Sequence, residues 1–372
     1  MTDPPRNAAP PPPPLELVWE RLAPLRAYTV PPEAPPVKLD ANESPWPLPP
    51  ESREQLARTL AAVDLHRYPD PRASALREAL CARIGGRPDE LILGSGSDEI
   101  IALLMTTLGR PPGGRSRAAV LYPEPTFVMF GLGARVHGLD PVPVPLGAQW
   151  QLDLPAMLGA VEREQPNLIF LASPNNPTGN AFDEASLRAL VESAPGSLVV
   201  IDEAYAPFSG RTFGAWRARH PNLAVLGTLS KIGFAAARVG WIRMHPELAQ
   251  EVDKARQPFN LNTLSQETAR LALTELWPTL EDQIAAVVRE RARLARALAE
   301  VPGLRVWPSD ANFLLVQVRE GDAGELARAL RERHVGVRHF GEAHGPLAGH
   351  VRITVGTPQE NRRLLDALGA LR

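Results

Sequence analysis

The feature that most constrains this chain is a series of short apolar runs, each cut off by polar residues and separated by stretches of other composition. ELILGSG (90–96), AAVLYPEP (118–125), NLIFLASP (167–174), SLVVIDEAY (197–205) and LAVLGTLSK (223–231) are dominated by Leu, Ile, Val, Phe and Ala. A strand that is apolar on both faces has to be covered on both, which is the situation of a parallel sheet held between helices. The segments DEIIALLMTTLG and FDEASLRALVESA have the helical period needed to supply that cover. The expected fold is α/β, with a large domain built on a mostly parallel sheet over residues 49–275.

After that domain, TLSQETARLALTEL and EDQIAAVVRERARLARALAEV read as long helices with Pro278 breaking the pattern between them. The last hundred residues offer strands RVWPSDANFLLVQV, VGVRHF and HVRITVG interleaved with helices GELARALRER and QENRRLLDAL. That is too little chain for another parallel-sheet domain, so a smaller α+β domain is expected over residues 276–372. Residues 1–24, opening with MTDPPRNAAPPPPP, read as a disordered Pro-rich arm and lack the basic start and apolar stretch of a secretion signal.

Charge and cysteine content exclude whole classes of function. Forty Lys+Arg against 42 Asp+Glu leave a net charge of −2, so the chain as a whole is not drawn to nucleic acid or anionic lipid. No window reaches the roughly 18 consecutive apolar residues of a membrane-spanning helix. The single Cys81, inside the helical pattern REALCARIG, can form neither an intramolecular disulfide nor a cysteine metal cluster. It reads as core packing. A cytoplasmic protein without a metal centre is expected.

Ligands of open α/β sheets sit beyond the carboxyl ends of the strands, so the polar residues there are the first suspects. In GSGSDE (94–99) a strand meets a helix start, where glycines admit a ligand and free N–H groups can hold a phosphate. Neither a P-loop nor GxGxxG is present, and taken alone a plain capped helix is the better local reading. Asp202 closes SLVVI, where a buried carboxylate needs a positive partner. Lys231 closes LAVLGTLS and is followed by IGFAAA, which carries no charge until Arg238; a lysine partly withdrawn from water beside another cation can act as a nucleophile that forms Schiff bases. Each alone can be a salt-bridged strand end. Together they point to a cofactor with a phosphate, an aldehyde and a basic ring nitrogen, which pyridoxal 5′-phosphate (PLP) provides. SPNNPTGN (173–180) and Tyr205 then become candidate donors to its phenolic oxygen, and Phe127 a ring to stack on it.

SPNNPTG, IDEAY and TLSK, in this order and spacing, resemble the fold-type I aminotransferases, and the resemblance runs from about Leu25 to the C-terminus. LDANESPWP (39–47), YPDPRASALREAL (68–80), GSGSDEII (94–101), YPEPTFVMF (122–130) and VRITVGTPQEN (351–361) are similar to the histidinol-phosphate aminotransferase branch. Close relatives act instead on aromatic amino acids or decarboxylate threonine phosphate, and those alternatives stay open here. An aminotransferase-like sensor domain of a transcription regulator would need a DNA-binding domain, and the 38 residues before LDANE fall short of the roughly 50 of a minimal domain.

The resemblance implies a homodimer acting on histidinol phosphate and L-glutamate/2-oxoglutarate. It implies Lys231 as the Schiff-base and proton-shuttling lysine, Asp202 as the partner of the pyridinium nitrogen, and Asn176 and Tyr205 at the phenolic oxygen. Gly96, Ser97, Asp98, Thr228, Ser230 and Arg238 would surround the phosphate, with Tyr68 reaching it from the other subunit. The spacing from Lys231 to Arg238 is one residue shorter than the family's usual one. Arg352 matches the substrate-anion arginine and Arg338 a second, phosphate-binding one. Residues 25–48 would join the small domain, their Tyr28 and Asn42 covering the site as substrate contacts.

Overall fold

The computed structural model describes residues 15–25, 35–114 and 116–371. Its strands are β1 (Val37–Leu39), β2 (Leu91–Ser95), β3 (Ala119–Glu124), β4 (Asp140–Pro145), β5 (Leu168–Ala172), β6 (Leu198–Asp202), β7 (Leu223–Thr228), β8 (Val239–Arg243), β9 (Leu304–Val306), β10 (Phe313–Val318), β11 (Val335–Phe340) and β12 (His350–Thr354). They form a seven-stranded sheet in the order β2-β8-β7-β6-β5-β3-β4 and a five-stranded sheet in the order β1-β11-β12-β10-β9.

All five apolar runs become strands of the larger sheet. β5 and β6 are buried at every position. Alternate residues feed two cores: Phe170, Val200 and Leu226 pack with Ile100, Ile101 and Phe130 on one face, while Ile169, Leu171, Val199 and Ile201 pack with Leu187, Leu190 and Met157 on the other. Two strands of this sheet lie outside the sequence reading. β4 is DPVPVP, where prolines lack the N–H of a central strand, and it occupies the edge beside β3. β8 runs antiparallel to both β2 and β7, because the short turns over 230–237 return the chain directly instead of through a crossover helix. Its first residue therefore lies beside the carboxyl end of β7.

The smaller sheet covers one face with the helices Trp277–Ala299, Ala323–Glu332 and Pro358–Gly369, burying Leu314, Val316, Val351 and Ile353 against Leu294, Leu330 and Leu364. β1 pairs in parallel with β11, so residues 37–39 are part of this sheet although they come first in the chain. Pro278 stands in the first turn of Trp277–Ala299, where its missing N–H is not needed. RVWPSDANFLLVQV divides into β9 and β10, and the loop between them meets the larger domain through the Asp310 N–H and the Gly179 carbonyl at 2.7 Å.

Of the Pro-rich arm expected over residues 1–24, residues 15–24 are among those described. Residues 15–25 carry two 3₁₀ turns, and Arg21 Nε donates to the Val136 carbonyl, 3.2 Å away, near the C-terminus of helix Met129–His137. Free carbonyls there attract a cation. Residues 1–14 lie outside the described residues. Among those described, no helix is long and apolar enough to cross a membrane.

Candidate active site

A cup of polar groups forms where β2, β7 and β8 meet. Gly96 leads into helix Ser97–Thr107 at φ +82° without a side-chain cap, leaving the first-turn N–H groups to a ligand. A Cβ on Gly96 would meet the Arg238 guanidinium, the movable end of a long side chain, so it is the positive φ that holds this residue to glycine. Gly240 is held to glycine too, since its Cβ would lie 2.6 Å from Ser97 N. Thr228 and Ser230 present hydroxyls 2.9 Å apart, and Thr228 Oγ1 also donates to the Val239 carbonyl. Arg238 takes a left-handed conformation, φ +52°, and its guanidinium lies 3.6 Å from Asp98. That turn brings Arg238 to Gly96 despite the short spacing from Lys231. The structure thus brings Gly96, Ser97, Asp98, Thr228, Ser230 and Arg238 together.

Asp202 ends β6 at 5% exposure. Burial pushes its carboxyl up to about 6, against the opposing pull of the Ala204 N–H, a donor at 2.9 Å, and of Lys231. This is an acid whose charge the protein itself compensates incompletely, and it fits a cationic ring nitrogen. Lys231 lies in a π-helical turn, Ser230–Phe234, its Nζ 5.8 Å from the centre of the Tyr205 ring. Tyr205 is buried and meets Phe313 of β10 edge to face at 5.1 Å. Phe127 is half-buried, edge-on to Phe130 at 5.6 Å.

The next wall belongs to the smaller sheet. Arg352 on β12 donates through Nη1 to Asn176 Oδ1 at 2.6 Å and through Nη2 to the Asp40 carbonyl at 2.7 Å. Antiparallel register puts Arg338 of β11 directly opposite Arg352, so two cations share one face of the sheet. Asn42 is fully inside, joined to Tyr205 and Thr354. Tyr68 stands apart from this group: it is 82% exposed and stacks on Phe259 at 4.7 Å. Tyr28 lies outside the described residues.

The family profile described as "Aminotransferase class I and II" matches residues 34–368. The chain belongs to the class I and II aminotransferases. It is 43% identical to a histidinol-phosphate aminotransferase 1 of Ralstonia nicotianae, over 95% of this chain and 94% of the relative. It is 42% identical to one of Burkholderia lata, over 95% and 98%. A histidinol-phosphate aminotransferase of Sinorhizobium meliloti, solved in complex with pyridoxal-5′-phosphate, superposes with a TM-score of 0.81 at 26% identity, covering 96% of this chain and 100% of that one. The expected fold, a large mostly parallel domain with a smaller α+β one, is borne out.

Asn312 and Thr354, which shape this aminotransferase site, escaped the sequence reading, and Asn175 lies in the candidate segment SPNNPTGN without having been singled out. Asn175, without exposed surface, donates to the Pro125 carbonyl and to Thr178 Oγ1 and accepts from Thr126 Oγ1 at 2.6 Å, so it locks the Phe127 loop to the Asn176 loop. Asn312 and Thr354 anchor Asn42. The doubled asparagine of SPNNPTG was a usable signal for Asn175. Nothing in the local sequence marks Asn312 or Thr354, whose partner is 312 residues away in the case of Thr354.

Proposed function

We propose that this aminotransferase carries PLP on Lys231 and exchanges an amino group between L-glutamate/2-oxoglutarate and histidinol phosphate/imidazole-acetol phosphate, a step of histidine biosynthesis. The coenzyme supplies a carbonyl carbon for the amine and a protonated ring that accepts the electron pair of the substrate's Cα–H bond. Lys231 binds that carbon and moves the proton. Asp202 keeps the ring nitrogen protonated, Asn176 and Tyr205 donate to the phenolic oxygen, and Phe127 covers a ring face. Gly96, Ser97, Asp98, Thr228, Ser230 and Arg238 form the phosphate cup. The enzyme works as a homodimer in the cytoplasm, with Tyr68 extending to the partner's cup.

The observation that carries the substrate assignment is the facing pair Arg338 and Arg352. Histidinol phosphate has a CH2-phosphate where an amino acid has its α-carboxylate, so the enzyme must hold a dianion in one half-reaction and carboxylates in the other. Arg352, already aligned by Asn176 and Asp40, serves both as a planar fork. Arg338 adds the second charge that a dianion requires. The test is a half-reaction screen of the purified enzyme against histidinol phosphate, phenylalanine and threonine phosphate, with borohydride fixation and peptide mapping. Fastest conversion of histidinol phosphate and a label on Lys231 are expected; a strong preference for phenylalanine replaces the substrate, and a label elsewhere replaces the lysine.

A further inference from the structure

Asn42 lies in the loop after β1 with a left-handed backbone, φ +56°, and 2% exposure. Four hydrogen bonds hold it. Its backbone N–H donates to Thr354 Oγ1 at 2.9 Å and its carbonyl accepts from Asn312 Nδ2 at 3.0 Å. The Thr354 hydroxyl, already an acceptor, donates its own proton to Asn42 Oδ1 at 3.2 Å. This turns the amide NH2 toward the Tyr205 oxygen, 3.0 Å away. The phenol oxygen is thereby an acceptor, and its own proton is left for another partner. Both ends of the amide are engaged within the protein, an arrangement poorly suited to a direct substrate contact.

We infer that Asn42 is a positioning residue that orients the Tyr205 hydroxyl as a donor to the cofactor's phenolic oxygen. The inference rests on the PLP reading above. Asn312 and Thr354 belong to the smaller domain and Tyr205 to the larger, so one buried side chain couples the seating of the smaller sheet to a hydroxyl beside Lys231. The Phe313 ring packs edge to face on the Tyr205 ring, with centroids 5.1 Å apart, and helps hold that ring in place. Accepting from Asn42 also makes Tyr205 the stronger donor, because linked hydrogen bonds polarise one another.

The test is a pH titration of the visible absorption band of the PLP-loaded enzyme, whose midpoint reports protonation of the nitrogen contributed by Lys231. A proton donated to the phenolic oxygen stabilises negative charge there and disfavours a proton on the neighbouring nitrogen. Asn42→Gly keeps the left-handed backbone and removes the amide. It should raise the midpoint by roughly half a pH unit, the size of a weakened neutral hydrogen bond, and Tyr205→Phe should raise it further. In the Tyr205→Phe background Asn42→Gly should add nothing. The charged groups around the phenol, Lys231 after β7, Asp202 at the end of β6 and Arg352 across Phe313, are the same in all variants. If Asn42→Gly gives no loaded protein, Thr354→Val reads the same link by removing the hydroxyl that orients the amide. An unmoved midpoint, or equal shifts in both backgrounds, overturns the positioning role. A wild type without a visible band overturns the coenzyme reading, and this inference with it.

Discussion

Asp202 is an acid held under strain by its own surroundings, and the strain has a definite pH dependence. Its carboxyl is raised by burial to about 6 from the ordinary 3.8. The unfolded chain therefore releases this proton first, and stability present below pH 4 is lost as the pH rises through 6. In PLP-free protein the loss amounts to about 3 kcal/mol. Asp202→Asn retains an acceptor for the Ala204 N–H and removes the charge, so the PLP-free variant is expected to be more stable than wild type at pH 7.5, the advantage shrinking toward pH 4. Urea denaturation at both pH values measures it. Glu203, raised by burial to about 7, acts with the same sign, so only the difference between wild type and variant isolates Asp202. With PLP bound the order should reverse, because a ligand that binds only the native state stabilises it by mass action and Asp202 is its counter-charge.

Among the secondary-structure elements, the β11–β12 pair carries a liability that a ligand turns to use. Arg338 opposite Arg352 is a like-charge pair, mildly destabilising until an anion lies between them. Arg338→Ala should leave the glutamate half-reaction near wild type and lower kcat/KM for histidinol phosphate about tenfold, in line with the worth of a charged hydrogen bond at an exposed residue. Arg352→Ala should depress both. Steady-state kinetics on each substrate separates the two, and unchanged kcat/KM in Arg338→Ala would return this residue to the solvent. Farther along, helix Pro358–Gly369 starts with a reciprocal capping box, Thr357 accepting from the Glu360 N–H at 3.2 Å while Glu360 accepts from the Thr357 N–H at 2.8 Å. Thr357→Ala should cost about 1 kcal/mol of stability, read as a lower urea midpoint at unchanged slope.

For the whole molecule, the decisive question is what covers Tyr68. Leu65 at 76% and Tyr68 at 82% exposure lie on the surface with Phe259, against which Tyr68 stacks. Large apolar groups gathered in this way mark an interaction surface. In the proposed homodimer a second copy covers them and receives Tyr68 at its cofactor phosphate. Sedimentation should give the dimer mass, and Leu65→Asp should shift the population toward monomer and weaken PLP retention together. Stable PLP binding by a monomeric wild type would remove Tyr68 from the phosphate cup.

How much of this was legible beforehand follows the range of the forces involved. Five strands of the larger sheet and the helices that cover them were readable because double-sided burial writes continuous apolar runs into the chain, and the polar positions at or just beyond the strand ends, such as Asp202 and Lys231, could be located by the charge that stops each run. β4 and β8 were not, since an edge strand of alternating prolines and a short antiparallel return carry no such run. The arrangement of the anion wall belongs to the tertiary structure alone: Arg338 and Arg352 are neighbours only through the β11–β12 register, which is set by the burial of Val351 and Ile353 on the opposite face. The Asn42–Tyr205 link spans 163 residues, and its geometry exists only once the two domains are packed. Local periodicity and composition determined which elements form and where chemistry can sit. Only the packing of one domain on the other decided which polar atoms face each other, because hydrogen bonds act over about 3 Å and leave no period in the sequence.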